Sequence, residues 1–518
     1  RRFGLAALLL CSVVLVAVFR SLRLAALPLI VVAISALWTL GVMAFFDFQL
    51  TILSVCLVSL VLTVGVADSI HVLTAYRQRL TQGTERDDAL RSSLDELMWP
   101  CFLTSITTAA GMLSLQASTL QPVREFGWMA ALGVVLAFAL SVTLIPALLS
   151  WLPGTALPTR SKKPDRLDRV LDAVARSSGH GSRFVLVSSG LLVVAALSLL
   201  PGLEMGSNPL GYFKPDAPIR RATEAIDRAL GGSASIEFLV EADGGGLREP
   251  DTLQHLEVLE ASLLARPGIS QVTSVLAPLR ELRRVLQGEA PGTGALPENR
   301  ELAAQLHLLL EGALDYPQLV QDDASVGRVS ARARYTHAGD LVASLPALEA
   351  ELAQLGASGG PTVKPTGPVK LIANMETQLL RSQVRSFLAA FAVITLLMFA
   401  VTRSLSLGLL AMIPNLVPVI LGLGFMAALN FSLDPGTVMI ASIALGLVVD
   451  DTVHFIVRFQ RQRASGTTTE AAVAHTVRTA GRPIILTSLV LLGGFGVLAF
   501  SSFNPNVHFG LISAVVVV

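Results

Sequence analysis

Charge is scarce in this chain. Only 15% of its 518 residues are Asp, Glu, Lys or Arg, against about 25% in ordinary soluble domains. The two signs nearly cancel, leaving a formal net charge of +1, so no basic surface is on offer to a nucleic acid. Cysteine is scarcer still. Cys11, Cys56 and Cys101 all lie in or beside apolar runs, and the polar middle of the chain has none. Neither a disulfide framework nor a cysteine-based metal site is implied. Also missing are a nucleophile with its base, a phosphate-binding loop and zinc-ligand spacing. The reading is therefore a non-enzyme without cofactors, driven by an ion gradient or by a partner.

What the chain has instead is apolar length. Hydrophobic residues make up 52% and mean hydropathy is +0.63, more than one or two soluble cores need. Runs long enough to cross a bilayer lie near 4–19, 24–45, 50–76, 98–118, 127–152, 183–203, 385–402, 405–430, 436–459 and 483–503. A last one begins near 508, which makes ten spans and a fragment. Arginines and lysines fall in alternate connections: Arg20 and Arg23; Arg77, Arg79, Arg86 and Arg91; Arg160, Lys162, Lys163, Arg166, Arg169, Arg176 and Arg183; Arg403; and Arg458, Arg461, Arg463, Arg478 and Arg482. The turns between, near Phe46 to Gln49, Ser118 to Gln121, Phe431 to Pro435 and Ser501 to Asn506, carry neither. The positive-inside rule then places the basic connections in the cytoplasm and residues 204–384 outside.

The sequence repeats itself. Residues 1–135 align with 384–518 at a constant offset of 383 without a gap, and about forty pairs are identical, as in duplicated transporter blocks. The pairs include Asp68 with Asp451, His71 with His454, Gly83 with Gly466, Thr104-Ser105 with Thr487-Ser488 and Gly111 with Gly494. Both copies point the same way. Because the start, Arg1-Arg2 and an apolar run, recurs inside the chain, it is not a signal peptide. Since the second copy follows a span and a soluble domain, the first is expected to follow an equivalent span and domain of about 200 residues. The expected plan is a first block at 1–152 (spans 2–6 of twelve), a cytoplasmic linker at 153–182, span 7 at 183–203, a soluble domain at 204–384, and a second block at 385–518 (spans 8–11 and part of 12). In the soluble domain, strands are predicted at 235–241, 271–277, 326–335 and 362–367. Helices are predicted at 219–230, 250–266 and 341–355, with helical material over 278–316. That order suits a split β-α-β, ferredoxin-like α+β domain.

Ionisable groups within spans are few and repeated, which points to an ion path or a substrate site. Asp68 and His71 lie three apart and share a helix face. The second copy has Asp450, Asp451 and His454. Thr104, Ser105, Thr487 and Ser488 fall at a similar depth on the following helices and could relay a proton. The weaker readings are structural hydrogen bonding by these groups and a metal held by the two Asp-x-x-His pairs. Pro414, Asn415 and Pro418 would break or kink their helix and serve as a hinge.

The Gly-x-x-x-Asp-Asp-Thr-x-His-Phe run at 446–455, the Pro-Asn-x-x-Pro helix and the two-copy layout resemble the resistance-nodulation-division superfamily. The nearest branch is the MMPL and hopanoid-exporter one, with Patched and sterol-sensing proteins more distant. The resemblance implies a twelve-span permease with periplasmic porter domains, driven by protons through Asp68 on its fourth helix and Asp450 and Asp451 on its tenth. Two departures, Ala67 where the branch pairs acids and a tenth helix without Lys, argue against a multidrug pump and leave the coupling ion, proton or sodium, open. The expected function is export of a hydrophobic or lipid-like substrate from the bacterial inner membrane. A sterol-sensing-like lipid receptor and a SecDF-like accessory to protein export are the alternatives. Expected partners are membrane lipids and the substrate, with room for a periplasmic adaptor and a homo-oligomer.

Overall fold

The computed structural model describes residues 2–49, 51, 53–151, 166–180, 182–203, 209–242, 245–290, 292, 294–313, 315–335, 338–357 and 359–517. Arg160, Lys162, Lys163 and much of the expected linker lie outside the described residues. The chain divides into two units, Arg1–Met205 with Gln378–Val518, and Gly206–Thr377.

The first unit opens with α1 (Arg2–Phe19), α2 (Leu22–Phe45), α3 (Ser54–Thr81), α4 (Arg86–Leu113) and α5 (Gln121–Trp151). Next come α6 (Arg166–His180), a helix within the expected linker, and α7 (Ser182–Leu199). Amphipathic α6 docks on the second block through Asp172 to Arg478 (2.7 Å) and Asp168 to Arg482 (3.2 Å).

In the second unit, α8 (Pro218–Leu230), β1 (Ala234–Glu241), α9 (Pro250–Leu264), β2 (Ile269–Thr273), α10 (Leu276–Gln287), α11 (Arg300–Leu310), β3 (Val326–Ala333), α12 (Ala338–Ala357) and β4 (Thr362–Thr366) follow in order. The sheet order is β2-β3-β1-β4 with antiparallel neighbours, the arrangement of a split β-α-β domain. Alternation along the strands decides which face is covered. Ile236, Phe238 and Val240 of β1, with Val329 and Ala331 of β3, are buried with Leu253, Leu256 and Leu263 of α9 in one core, while Glu237 and Arg328 pair on the other face at 2.8 Å. One expectation fails here: strand β2 stops at Thr273, because Ser274 turns the chain into α10 by accepting from the Leu276 amide at 3.0 Å. The helical material expected over 278–316 is there as two helices, since Gly288 ends α10 in the left-handed conformation.

The first unit resumes in α13 (Gly367–Thr402), which begins in the second unit, and continues with α14 (Leu405–Ala428), α15 (Pro435–Val438), α16 (Ile440–Ala464), α17 (Thr469–Gly496) and α18 (Asn504–Val517). Among the described residues nine helices are long and apolar enough to cross a membrane, with a shorter apolar helix at Leu8–Phe19. The expected span over 98–118 is part of a helix that starts twelve residues earlier at Arg86. That over 436–459 is split at Met439 into α15 and α16.

The repeat is visible in the backbone. Ser21 caps α2 by accepting from Leu24 N, and its counterpart Ser404 caps α14 by accepting from Leu407 N, both at 3.4 Å. The residues just before those caps, Arg20 and Arg403, both have positive φ, of 49° and 51°. Asp47 and Asn430, at φ 55° and 53°, repeat this at the far ends of α2 and α14. Left-handed backbone is costly for residues other than glycine, so its recurrence at an offset of 383 marks two copies of one structure.

Candidate functional site

The site forms where α4 of the first copy crosses α16 of the second. Close approach needs glycine there: a Cβ on Gly111 would lie 2.9 Å from the Gly446 Cα, an overlap that only a backbone shift could relieve. Thr108 reaches across and donates to the Gly446 carbonyl at 3.0 Å. This crossing sets Asp68 and His71 on α3, Thr104 and Ser105 on α4, and Asp450 and His454 on α16 around one buried seam.

Ser105 donates to Asp68 Oδ2 at 3.1 Å. Asp68, Thr104, Ser105, Thr108 and Asp450 line a cavity of about 20 Å³, room for about one water. Asp450 Oδ1 stands 3.4 Å from His454 Nε2, within ion-pair range, but neither atom makes a hydrogen bond. The His71 and His454 rings stack at 3.9 Å, 7° from parallel. These two residues are counterparts in the repeat, so the axis relating the copies passes between their rings. Two imidazolium charges 4 Å apart would repel by about 4 kcal/mol at an effective dielectric of 20, so the geometry disfavours charging both rings together. His71 Nε2 also lacks a hydrogen-bond partner.

Toward the basic end the seam closes on Glu96 of α4. Arg79 reaches it at 2.6 Å and Arg458 at 3.4 Å, while Arg461 donates to its carbonyl at 3.3 Å. Arg458 lies one turn beyond His454.

The remaining predicted residues divide. Asp451 and Ser488 line a larger cavity of about 400 Å³ with Asp450, Pro418 and Val516. Thr487 donates to the Ile484 carbonyl of its own helix at 2.8 Å. Pro414 and Pro418 lie inside an unbroken α14. Each removes one backbone donor, and the rest of the ladder carries the helix through. Asn415 is buried and accepts from Thr452 of α16 at 2.5 Å, tying α14 to the site helix. Among the described residues no group of three or more His, Cys, Asp or Glu is arranged to hold a metal ion. Sequence reasoning missed Glu96, Arg458 and Thr452 as members of the site, whereas Thr108, at the depth of Thr104 and Ser105, was within its reach. Glu96 and Arg458 align with Thr479 and Ala75, so a search for residues shared by both copies passes over them; the one signal was a carboxylate flanking a span.

A duplicated block of membrane helices with an ionisable seam between the copies, in a chain that also holds a split β-α-β domain, is the architecture of a polytopic membrane protein of the resistance-nodulation-division type. The chain belongs to the MMPL family, whose profile matches residues 1–180 and 213–518. Similar curated proteins include the probable transport protein MmpL11 of Mycobacterium bovis, 24% identical over 97% of this chain and 50% of its own length. The heme uptake protein MmpL11 of Mycobacterium tuberculosis has the same identity and coverage. The mycolic acid-containing lipids exporter MmpL11 of Mycolicibacterium smegmatis is 23% identical over 98% of this chain and 51% of its own. The chain spans about half the length of these relatives.

Proposed function

We propose that this chain is part of a proton-driven exporter of a hydrophobic or lipid-like substrate in the bacterial inner membrane, with residues 204–384 on the periplasmic side. The observation that carries the reading is the seam itself. Carboxylates and stacked imidazoles from both copies meet in a helix interface, several with atoms left without partners. Buried ionisable groups are costly in a membrane and are kept where they move charge. In this reading protons pass between Asp450, Asp68 and the His71–His454 pair, with Ser105 and Thr104 supplying hydroxyls, and Asp451 and Ser488 serve the adjoining cavity. Loading changes the charge at the α4–α16 crossing and so biases how the two copies pack. The relatives named for lipid export and for heme uptake both handle large, largely apolar cargo, which suits a hydrophobic substrate.

The test is proton flux in proteoliposomes of the full-length protein. Asp68→Asn and the double variant Asp450→Asn/Asp451→Asn should each lose pH-gradient dissipation while staying folded. Unchanged flux in both would return the seam to a structural role and favour a lipid receptor.

A further inference from the structure

A second Asp–His pair lies at the opposite end of the same helices. Asp434 precedes α15 in a turn without Lys or Arg, and its Oδ2 is 3.5 Å from Nδ1 of His508 on α18. The carboxylate is buried, with 2% of its side chain exposed, while the imidazole keeps 19% and stacks on Phe431 at 4.1 Å. Only one carboxylate oxygen is occupied structurally: Oδ1 accepts from the Gly436 and Thr437 amides at 2.8 Å each. That leaves Oδ2 to His508, whose Nδ1 has no hydrogen bond. Beside the pair, Cys56 of the first copy donates to Asn506 Oδ1 at 3.5 Å, so this cluster too straddles the copies. Cys56 is the other ionisable group facing Asp434.

Between this pair and the seam stand hydroxyls with no structural task. Ser59, Ser442 and Ser513 are buried and none makes a hydrogen bond. Ser59 and Ser442 are repeat counterparts. Ser442 lies eight residues from Asp434 and eight from Asp450, about 12 Å along the chain from each at helical rise. Buried polar groups without partners are rare and call for an explanation, and a hydroxyl can both accept and give up a proton.

We propose that the Asp434–His508 pair is a second proton-binding site, the mouth of the relay on the side opposite the basic end. The inference rests on the relay reading above. A proton arriving from that side binds the pair and is handed toward Ser513, Ser442 and Asp450. Each transfer breaks one O–H or N–H bond and forms another, and the pair returns to its starting state.

The experiment is proton flux in proteoliposomes of the full-length protein. Asp434→Asn keeps the Oδ1 cap and His508→Phe keeps the stack on Phe431, so both should fold. Each should lower flux about tenfold or more, and Asp434→Glu should restore most of it. His508→Ala should regain flux when free imidazole is added on the side of residues 204–384, which a merely structural histidine would not do. Wild-type flux in Asp434→Asn and His508→Phe, with flux lost in Asp450→Asn/Asp451→Asn, would overturn this inference and leave the relay standing. Flux retained in Asp450→Asn/Asp451→Asn and in Asp68→Asn would overturn both.

Discussion

The two units bury histidine in opposite ways. In the second unit, His307 of α11 is fully used: Nδ1 meets the Tyr316 hydroxyl and Nε2 meets the Leu247 carbonyl at 3.0 Å. In the membrane unit His71 Nε2, His454 Nε2 and Asp450 Oδ1 are equally buried and make no hydrogen bond. A satisfied buried group rigidifies a core, whereas an unsatisfied one costs about 1–3 kcal/mol and persists where something else requires it. The contrast separates a histidine that holds structure from histidines whose Nε2 atoms are left without a partner.

The sharpest way to break this comparison is to exchange chemistry without changing shape. Asp450→Asn/Asp451→Asn should lower proton flux about a hundredfold or more with little change in unfolding temperature. Replacing the stacked imidazoles by His71→Phe and His454→Phe should likewise reduce flux while leaving stability within about 1 kcal/mol, because Nε2 of neither ring makes a hydrogen bond. His307→Phe should do the reverse. It strands the Tyr316 hydroxyl and the Leu247 carbonyl, at about 2–4 kcal/mol for the two, and hydrogen exchange at the amides of α11 should rise while flux per folded molecule holds. Equal stability losses for His71→Phe and His307→Phe would erase the distinction.

Within the membrane unit the copies differ in their obstacles. A Cβ at Gly111 meets Gly446 backbone, whereas one at the counterpart Gly494 meets the side chain of Thr63. At Gly494 the overlap is with both branches of Thr63, Oγ1 and, at 2.6 Å, Cγ2, and a β-branched side chain cannot rotate both clear, so Gly494→Ala should cost at least as much as Gly111→Ala, at about 1–3 kcal/mol, read from unfolding in detergent.

Much of this was legible from sequence, for definite physical reasons. Apolar length gives the spans, and the offset of 383 gives the two copies. Period-2 alternation gives β1 and β3. The Asp-x-x-His spacing brought out Asp68, His71, Asp451 and His454 because repetition marks them. Hidden from it was which helices would cross. That depends on Gly111 finding Gly446, residues that are not counterparts, and it decides that Asp450, absent from the first copy, joins Asp68 at one cavity while Thr487 turns to its own helix. Helix α6 was read as linker because its apolar face is only one stripe, whose partner on α17 is three hundred residues away.

The smallest effect expected is a pH dependence confined to the second unit. Burial, helped by nearby Arg248 and opposed by the hydrogen bond to Leu247, lowers the His307 pKa below its ordinary 6.5, and burial pushes the Tyr316 phenol up to about 12. The neutral ring fits this site: Nε2–H donates to the Leu247 carbonyl and Nδ1 accepts from the Tyr316 hydroxyl. A second proton would displace that donor. Because the folded pKa lies below the unfolded one, the unfolded chain binds more protons in acid. The contribution is therefore complete above pH 6.5 and is lost as pH falls from there through the folded value, by at most about 1.4 kcal/mol per pH unit. Glu237 titrates lower: burial raises its pKa, but hydrogen bonds from Arg328, Ser235 and Ser330 outweigh that and leave it below 4.5, so its loss comes in a separate, more acid window. Between pH 6.5 and 5, the protection of α11 amides, corrected for the slower intrinsic exchange in acid, should fall progressively in the wild type, and His307→Gln, which carries no titrating ring, should flatten the slope. A slope that survives the substitution would mean that another group in this unit, not His307, senses the acid.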